Sequence, residues 1–426
     1  MYLCQKQKRI VSKKIITIKN KTIMKKYLFL ALGVAALTSC SSDEVTELNQ
    51  GNEIKFSVVA DNDSRAATVY CNNNLMDEFY VYATADGTPF INADLIKYEN
   101  SKWENKTATQ RYWPETFTAM NFYGVVSETG ETLNKIAVSN EGVPQITNFE
   151  PATDVAEQTD LLYAVENVTT KPDNGEVSLN FRHALSQIEF RAVNKNQYID
   201  VQIEKVVVGN VLSKGTSFAL PTSTKDNTVQ HANGSGTFTA NSQGTWTLDN
   251  TTANYVVESY SVPTDGAPNY IGAEGDETSL TLATANHAES PITGNYSKTM
   301  LLLPQTSTQN GGKWTPATVD VNPESTATSG TYLGVKCKIY NVTKVGETTH
   351  RTLIYGTDAD YKWALVPVDL TWEQGKKYVY TFVFNTGNGG FTPDGDDVLN
   401  GISLDVTVDD FILGEGSPFD TPMQTE

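Results

Sequence analysis

Residue types that commonly carry catalysis are present in this chain of 426 residues, but they are isolated from one another. The four histidines, His183, His231, His287 and His350, have no second ligand at metal-site spacing. Gly234-Ser235-Gly236 lacks the spacing of the nucleophile motif Gly-x-Ser-x-Gly. A lone histidine among strand residues, as at His183, commonly makes a local hydrogen bond. The sequence therefore predicts no catalytic site and no cofactor.

One acidic run offers the oxygen ligands that calcium prefers. It is Asp394-Gly395-Asp396-Asp397, which follows Thr392-Pro393 and lacks the closing Glu of an EF-hand loop. Asp, Gly and Pro are also the residues that favour turns. We therefore predict a solvated turn here and no metal site, with calcium binding as the alternative.

Cys40 has the clearest chemistry in the chain. It follows an apolar run of 11 residues at 27–37, too short for a bilayer span of about 20 residues. Lys25 and Lys26 precede this run, as in a secretory signal peptide. Leu37-Thr38-Ser39-Cys40 resembles a bacterial lipobox. This resemblance implies a diacylglycerol-type lipid anchor, including palmitate, on Cys40 and removal of everything before it.

The signal peptide is predicted to occupy residues 1–39, with Met24 as the more natural start and residues 1–23 upstream of it. Residues 40–52 would then form a lipidated tether. The residues directly after Cys40, Ser41-Ser42-Asp43-Glu44, are similar to acidic signals that send lipoproteins to the outer face of the outer membrane. The alternative is a plain signal peptide that ends at a chance cysteine.

Charge narrows the range of partners. Residues 1–39 hold nine Lys or Arg and no Asp or Glu, so the remaining chain has 23 basic and 50 acidic side chains, a net charge of −27. Such a chain repels phosphate backbones and anionic lipid surfaces, which excludes a nucleic-acid partner. Apart from Cys40, the mature chain has only Cys71 and Cys337, so a disulfide framework is not expected. A single bridge between them is the alternative to two unpaired thiols.

Short segments rich in Tyr, Phe, Val and Thr alternate with Asn, Gly, Asp and Pro turns about every ten residues. This pattern is typical of antiparallel β-sandwiches. Residues 154–164 could form one or two helical turns, and residues 222–297 read as elaborated loops with short strands. The turn-rich residues 169–176 are the predicted domain boundary. The predicted strands are 78–83, 96–103 with its tip at Asn100-Ser101, 119–126, 177–193, 199–209, 299–303, 332–342 and 377–384.

Residues 53–67 combine a strand pattern with a polar loop. Ile54, Phe56 and Val58 alternate with other residues, as in a strand with one buried face. The loop that follows holds one arginine, Arg65, so the strand could be cut away by a protease. The alternative is an ordinary first strand with an incidental surface arginine.

Several short motifs occur in an order that resembles the fimbrillin family, the subunits of type V pili and related lipoproteins. The resemblance covers nearly the whole mature chain and follows a lipobox. The motifs are Tyr112-Trp113-Pro114, Met120-Asn121-Phe122-Tyr123-Gly124, Asp160-Leu161-Leu162-Tyr163-Ala164, Phe181-Arg182-His183-Ala184-Leu185-Ser186-Gln187-Ile188-Glu189-Phe190, Leu302-Leu303-Pro304-Gln305 and Trp372-Glu373-Gln374-Gly375-Lys376-Lys377-Tyr378-Val379-Tyr380.

The resemblance implies an all-β fold of two transthyretin-like antiparallel β-sandwich domains in tandem, at 53–172 and 173–426. It also implies that a trypsin-like, Arg-specific protease cuts between Arg65 and Ala66 and removes the strand within 53–65. A donor strand from another subunit would then fill the groove. The donor candidate is 402–413, where Ile402, Leu404, Val406 and Val408 alternate with polar residues. An ordinary strand paired within its own domain is the equal alternative.

These expectations give two main hypotheses about function, and a third alternative is an enzyme whose site is assembled from distant carboxylates. The first is a fimbrial subunit that polymerises by strand exchange with other fimbrial subunits and serves adhesion from the outer membrane or the fimbrium. The second is a non-polymerising, lipid-anchored adhesin that binds glycans or host proteins through aromatic residues such as Trp246 and Tyr260. A surface form that begins at Ala66 would favour the first, and the full lipidated form would favour the second.

Overall fold

The computed structural model places the residues that it describes in one compact unit. Of the sequence-predicted residues, Cys40, Arg65, Ala66 and Cys71 lie outside the part that the structure describes. The described residues are 52–58, 78–107, 109–126, 135–155, 158, 160–194, 198–224, 243–257, 270–271, 280–281, 300–307, 322–324, 330–384, 390–398 and 401–410.

These residues form 23 β-strands and contain no α-helix, which confirms the all-β fold class. Among the described residues, no helix has the length and apolar character needed to cross a membrane. The first eleven strands are β1 Lys55–Val58, β2 Glu78–Ala85, β3 Thr88–Glu99, β4 Lys102–Asn105, β5 Met120–Val126, β6 Ile136–Val138, β7 Pro144–Phe149, β8 Leu162–Val168, β9 Glu176–Leu179, β10 Arg182–His183 and β11 Ser186–Asn194. The others are β12 Ile199–Leu212, β13 Gly215–Ala219, β14 Thr245–Leu248, β15 Thr252–Val257, β16 Tyr270–Ile271, β17 Leu280–Thr281, β18 Met300–Leu302, β19 Tyr332–Val345, β20 Thr348–Tyr355, β21 Lys362–Pro367, β22 Lys376–Phe384 and β23 Ile402–Asp410.

The N-terminal half is built on a six-stranded antiparallel sheet in the order β10-β8-β5-β2-β3-β4. The hairpin between β3 and β4 turns at Asn100 and Ser101, whose φ angles of 53° and 65° are left-handed. This confirms the tip that their residue types predict. One face of the sheet holds a core that β1 and β9 complete, with Phe56, Phe79 and Phe122 among its rings.

The C-terminal half contains a β-sandwich. One sheet has the order β17-β11-β22-β23, with β18 also paired to β11. The other has the order β15-β12-β19-β20, with β16 and β21 paired to β12 and β19. The apolar side chains of both sheets belong to one continuous core, which includes Phe190, Val208, Val335 and Phe382. Alternation along the long strands β12 and β19 supplies one wall of this core.

A third core joins the two halves. Strands β6 and β7, from the first half of the chain, share a four-stranded sheet with β13 and β14 from the second. Tyr163 of β8 packs edge to face on Phe218 of β13, with ring centroids 4.9 Å apart. The Tyr163 hydroxyl also donates to Gln374 at 3.0 Å and accepts from the Gly244 amide at 2.9 Å. The halves are therefore tied by packing and by hydrogen bonds.

Three details differ from the simple sequence pattern. Two strand pairs, β1 with β9 and β11 with β22, are parallel, whereas alternation predicts antiparallel neighbours throughout. The suggested helical turns in 154–164 are wrong for residues 162–164, which belong to β8, because cross-strand pairing with β5 satisfies their backbone. Strand β9 follows the predicted boundary at 169–176 yet packs its Val177 and Leu179 into the N-terminal core. The domain division itself stays a prediction.

Candidate functional site

The first strand, β1, lies between two neighbours. On one side it runs parallel to β9 over four residue pairs, from Lys55 opposite Glu176 to Val58 opposite Leu179. On the other side the Ile54 amide donates to the Arg111 carbonyl oxygen at 2.9 Å. Thus β1 occupies a groove whose two walls are β9 and the segment around Arg111.

Side chains of β1 and of Ile54, the residue directly before it, complete the core beneath the strand. Ile54 is 4% exposed and Phe56 is 6% exposed, so both are as buried as ordinary core residues. The Phe56 ring meets Phe79 and Phe122 edge to face, with centroids 6.3 and 6.0 Å apart. Val58 is partly buried against the same core. The predicted inward face of this strand is confirmed, and taking the strand away would open an apolar slot lined by aromatic rings.

Gly175 positions the start of β1. Its carbonyl oxygen accepts the Lys55 amide at 3.0 Å and the Trp113 indole N–H at 3.1 Å. Gly175 has a φ of +71°, and a Cβ at this position would lie 2.8 Å from the Glu53 carbonyl oxygen. Only glycine therefore lets the turn approach β1 this closely.

The opposite wall is fixed by a charged pair. Arg111 binds Asp94 of β3 through two hydrogen bonds of 2.7 and 2.8 Å. The Asp94 side chain is 1% exposed and also accepts from Asn105 at 3.0 Å. This pairing raises the pKa of Arg111, so the cation is retained at any working pH. Sequence reasoning missed Asp94, Arg111 and Gly175. The only signal for Arg111 is its position directly before Tyr112-Trp113-Pro114.

The C-terminal candidate, β23, is paired within its own chain. It runs antiparallel to β22 over nine residue pairs, from Ile402 opposite Phe384 to Asp410 opposite Lys376. Among the described strands β23 is the edge of its sheet. Residues 411–413 of the candidate lie outside the described part of the chain.

The alternating side chains of β23 are unequally buried. Ile402 is fully buried and Leu404 packs partly on the C-terminal core. Val406 and Val408 are 45% and 53% exposed. Within its own domain the strand therefore packs only the first two of its four alternating apolar side chains on the core. The other two, both β-branched, are exposed.

The histidines and the acidic run do not form a site among the described residues. His183 Nδ1 lies 2.6 Å from Asp160 Oδ2, which is the local interaction predicted for it. His350 is exposed on β20, and the described residues contain no group of three metal-ligating side chains. His231 and His287 lie outside the described part. The acidic run is a turn closed by Thr392, whose amide donates to the Asp396 carbonyl oxygen at 2.7 Å.

Trp246 and Cys337 belong to cores. The Trp246 indole N–H donates to the Ala184 carbonyl oxygen at 2.7 Å, and its ring packs on Phe149 and Phe218. Tyr260 lies outside the described residues. Cys337 is a fully buried free thiol, and burial raises its pKa far above the ordinary value. The interpretation of Cys337 as a small apolar core residue is consistent with this position.

Comparison with known proteins shows the family of this chain. A candidate cell adhesion protein from Bacteroides uniformis is 10% identical over 84% of this chain and 98% of its own, with a TM-score of 0.36. One from Bacteroides eggerthii is 13% identical over 85% of this chain and 97% of its own, at 0.39. A fimbrial protein from Bacteroides ovatus is 16% identical over 39% of each chain, at 0.23. No curated protein matches the chain. The family model described as fimbrillin-like matches residues 59–410. The chain belongs to the fimbrillin-like family.

Proposed function

We propose that this chain is the precursor of a fimbrial subunit, which is assembled by strand exchange and serves adhesion. The observation that carries the proposal is the position of β1. Its side chains fill the N-terminal core, while its backbone pairs with only four residues of β9. A segment that contains Arg65 follows it directly. Cutting this segment would leave β1 attached by non-covalent contacts alone.

Loss of β1 would make the groove a binding site. Removal of β1 would expose the apolar surface that Ile54 and Phe56 now cover. This exposure costs about 1.5–3 kcal/mol for each of the two side chains. Each unpaired backbone hydrogen bond adds about 0.5–1.5 kcal/mol. An incoming strand with the same alternation recovers both terms, which is the physical basis of strand addition to an exposed sheet edge.

Strand β23 is the proposed donor. It must give up its nine pairs with β22 and the burial of Ile402, and it gains backbone hydrogen bonds and side-chain burial in the groove of another subunit. Val406 and Val408 are about half exposed before the exchange, so their burial in the groove is a gain of about 1 kcal/mol each. The additional burial of Val406 and Val408 in the groove supports transfer of the strand to a vacant groove.

The proposed location follows from the N-terminal sequence and the family. The chain is exported, lipidated on Cys40 and held at the outer membrane with its folded unit exposed. The trypsin-like protease then cuts after Arg65, and the subunit that begins at Ala66 enters the fimbrium. Other subunits and surface ligands are the proposed partners, and the acidic character of the mature chain disfavours nucleic acid.

The Arg65→Ala variant tests the proposal. We expect it to be exported and to stay in the membrane fraction as a monomer, because the covalently attached β1 outcompetes any intermolecular strand. Mass spectrometry would report the N-terminus, and SDS-resistant ladders would report polymers. Ser64→Ala is the matched control, since it changes the neighbouring residue and keeps the arginine. Ladders from Arg65→Ala equal to those of the wild type would reject strand removal at this site.

A second candidate function is a non-polymerising, lipid-anchored adhesin that binds glycans or host proteins. It is favoured by the pairing of β23 within its own sheet, which is the arrangement of a self-contained subunit. N-terminal sequencing of the surface protein separates the two functions. A fixed adhesin retains the lipidated Cys40, whereas a polymerising subunit begins at Ala66.

A further inference from the structure

A charged pair joins β11 to β22 on the face of the sheet that is turned away from the sandwich core. Ile188 and Phe190 of β11 belong to that core, so Glu189 between them lies on the opposite face. The Glu189 carboxylate oxygen Oε2 lies 2.7 Å from Nζ of Lys377, and the two side chains are 1% and 10% exposed. An amine and a carboxyl group are therefore held in contact where little water reaches them.

Gln187 lies beside this pair. It is opposite Lys377 in the parallel register of β11 and β22, and on its other side it is opposite Leu301, a residue of the core that joins the two halves. Gln187 is 1% exposed, and within the described residues neither its amide nitrogen nor its amide oxygen makes a hydrogen bond. Buried side-chain amides usually have such partners. Gln187 therefore needs one acceptor and one donor at this position.

We propose that Lys377 and Glu189 condense to an amide, which links β22 to β11 covalently. A proton passes from Lys377 Nζ to Glu189 Oε2, and Nζ then attacks Glu189 Cδ. The Cδ–Oε2 bond breaks as a second proton passes from Nζ to the leaving oxygen, which departs as one water molecule. The third proton stays on the amide nitrogen. The ion pair supplies every atom and proton of this step, so it needs no cofactor or oxidant.

Three physical features favour the amide over the ion pair. Fixed contact between two well-oriented groups gives an effective concentration of about 10⁵–10⁸ M. Burial of an ion pair is costly because both charges lose their hydration, whereas the amide has no charge. The carbonyl oxygen and N–H of the new amide are also the acceptor and the donor that Gln187 needs.

The cross-link is independent of strand exchange. Strand β23 pairs with the other edge of β22, so its release would leave the link between β22 and β11 intact. The proposal therefore holds for a polymerising subunit and for a fixed adhesin, and its test does not depend on processing at Arg65.

Another Lys–Glu pair between neighbouring strands provides the comparison. Lys97 Nζ of β3 lies 3.3 Å from Glu78 Oε2 of β2, and their side chains are 35% and 34% exposed. Water hydrates both charges at this exposure, so we expect this pair to stay ionic.

The test is the intact mass of the lipid-free protein that begins at Ser41, measured in the denatured state. We expect a mass lower than the sequence requires by one water molecule. Trypsin should release a branched peptide in which residues 183–191 are joined to the segment that contains Lys377, with no cut after Lys377. The proposal is overturned if the protein has its full sequence mass, or if Lys377 and Glu189 are recovered in separate peptides.

Variants assign the loss of water to this pair. Lys377→Met and Glu189→Leu should each have the full sequence mass, whereas the matched control Lys97→Met should still be lighter by one water molecule. A loss of water that persists in Lys377→Met would arise elsewhere, as in cyclisation at an Asp-Gly step, and would overturn the proposal. The wild-type peptides decide the question even if a variant fails to fold.

Discussion

At the scale of single residues, Phe56 is the main contact between β1 and the core. It is 6% exposed and meets two aromatic rings edge to face, whereas Val58 two residues later is only partly buried. Alternation in the sequence is sufficient to predict which side chains of β1 face inward. It cannot predict the Arg111–Asp94 pair, because the two residues are distant in the sequence and nothing local links them.

Phe56→Ala should destabilise the uncut chain by about 3 kcal/mol, since it removes a buried ring and leaves a cavity between Phe79 and Phe122. Urea denaturation of the protein that begins at Ser41 would measure the change. Val58→Ala is the control on the same strand and should cost about 1 kcal/mol. Equal costs for the two variants would show that Phe56 does not anchor β1.

At the scale of elements, β1 and β23 have related patterns but different surroundings. The sequence predicts both as strands from their alternation, and the structure has strands at Lys55–Val58 and Ile402–Asp410. Alternation alone could not tell whether 402–410 pairs within its own domain, because partner choice depends on which long-range edge is free. The parallel direction of β1 against β9 is missed for the same reason.

Gly175→Ala should loosen β1 selectively. The change forces a side chain into a left-handed backbone and brings its Cβ to 2.8 Å from the Glu53 carbonyl oxygen. Hydrogen exchange at the Lys55 amide, which donates to Gly175, would report the loosening. Faster exchange is expected in the variant than in the wild type.

Gly346→Ala is the matched control for Gly175→Ala. Gly346 has a φ of +64°, but a Cβ there meets no atom within 4 Å. It should cost about 1–2 kcal/mol of backbone strain and leave the Lys55 amide unchanged. Similar exchange rates at Lys55 in both variants would contradict a specific contact between Gly175 and β1.

At the scale of the whole molecule, the two halves are joined by a core to which both contribute. Leu161 and Tyr163 come from the first half, and Phe218 and Leu301 from the second. Sequence reasoning predicts the strands on both sides but not the sheet that β6 and β7 share with β13 and β14. That sheet joins segments about seventy residues apart, and such pairings leave no mark on local periodicity.

Buried tyrosines should make the stability of the folded chain sensitive to alkali. Burial raises the pKa of Tyr82 and of Tyr163 to about 12, above the ordinary value of about 10. The fold favours the neutral phenols, so their contribution to stability is complete below about pH 10 and is lost as the pH rises towards about 12. The free energy of unfolding should fall by up to roughly 3 kcal/mol per hydroxyl over this range.

Urea denaturation at several alkaline pH values, with phenolate absorbance followed in parallel, would measure the loss. Tyr163→Phe is the informative variant. It removes one titrating hydroxyl, along with its hydrogen bonds to Gln374 and Gly244, so it should be less stable near neutral pH and lose less stability in alkali. An unchanged slope above about pH 10 would show that Tyr163 does not titrate with unfolding.

The position of β22 has a mechanical consequence. It lies between β11, with eight parallel pairs, and β23, with nine antiparallel pairs. Tension along the strand axis would load these pairs in shear, so many of them must yield together, whereas a pull across the sheet would open them one at a time. Resistance to such a pull is set by an unfolding rate. Among the described strands, the last one is therefore attached in a geometry that resists tension along the strand axis.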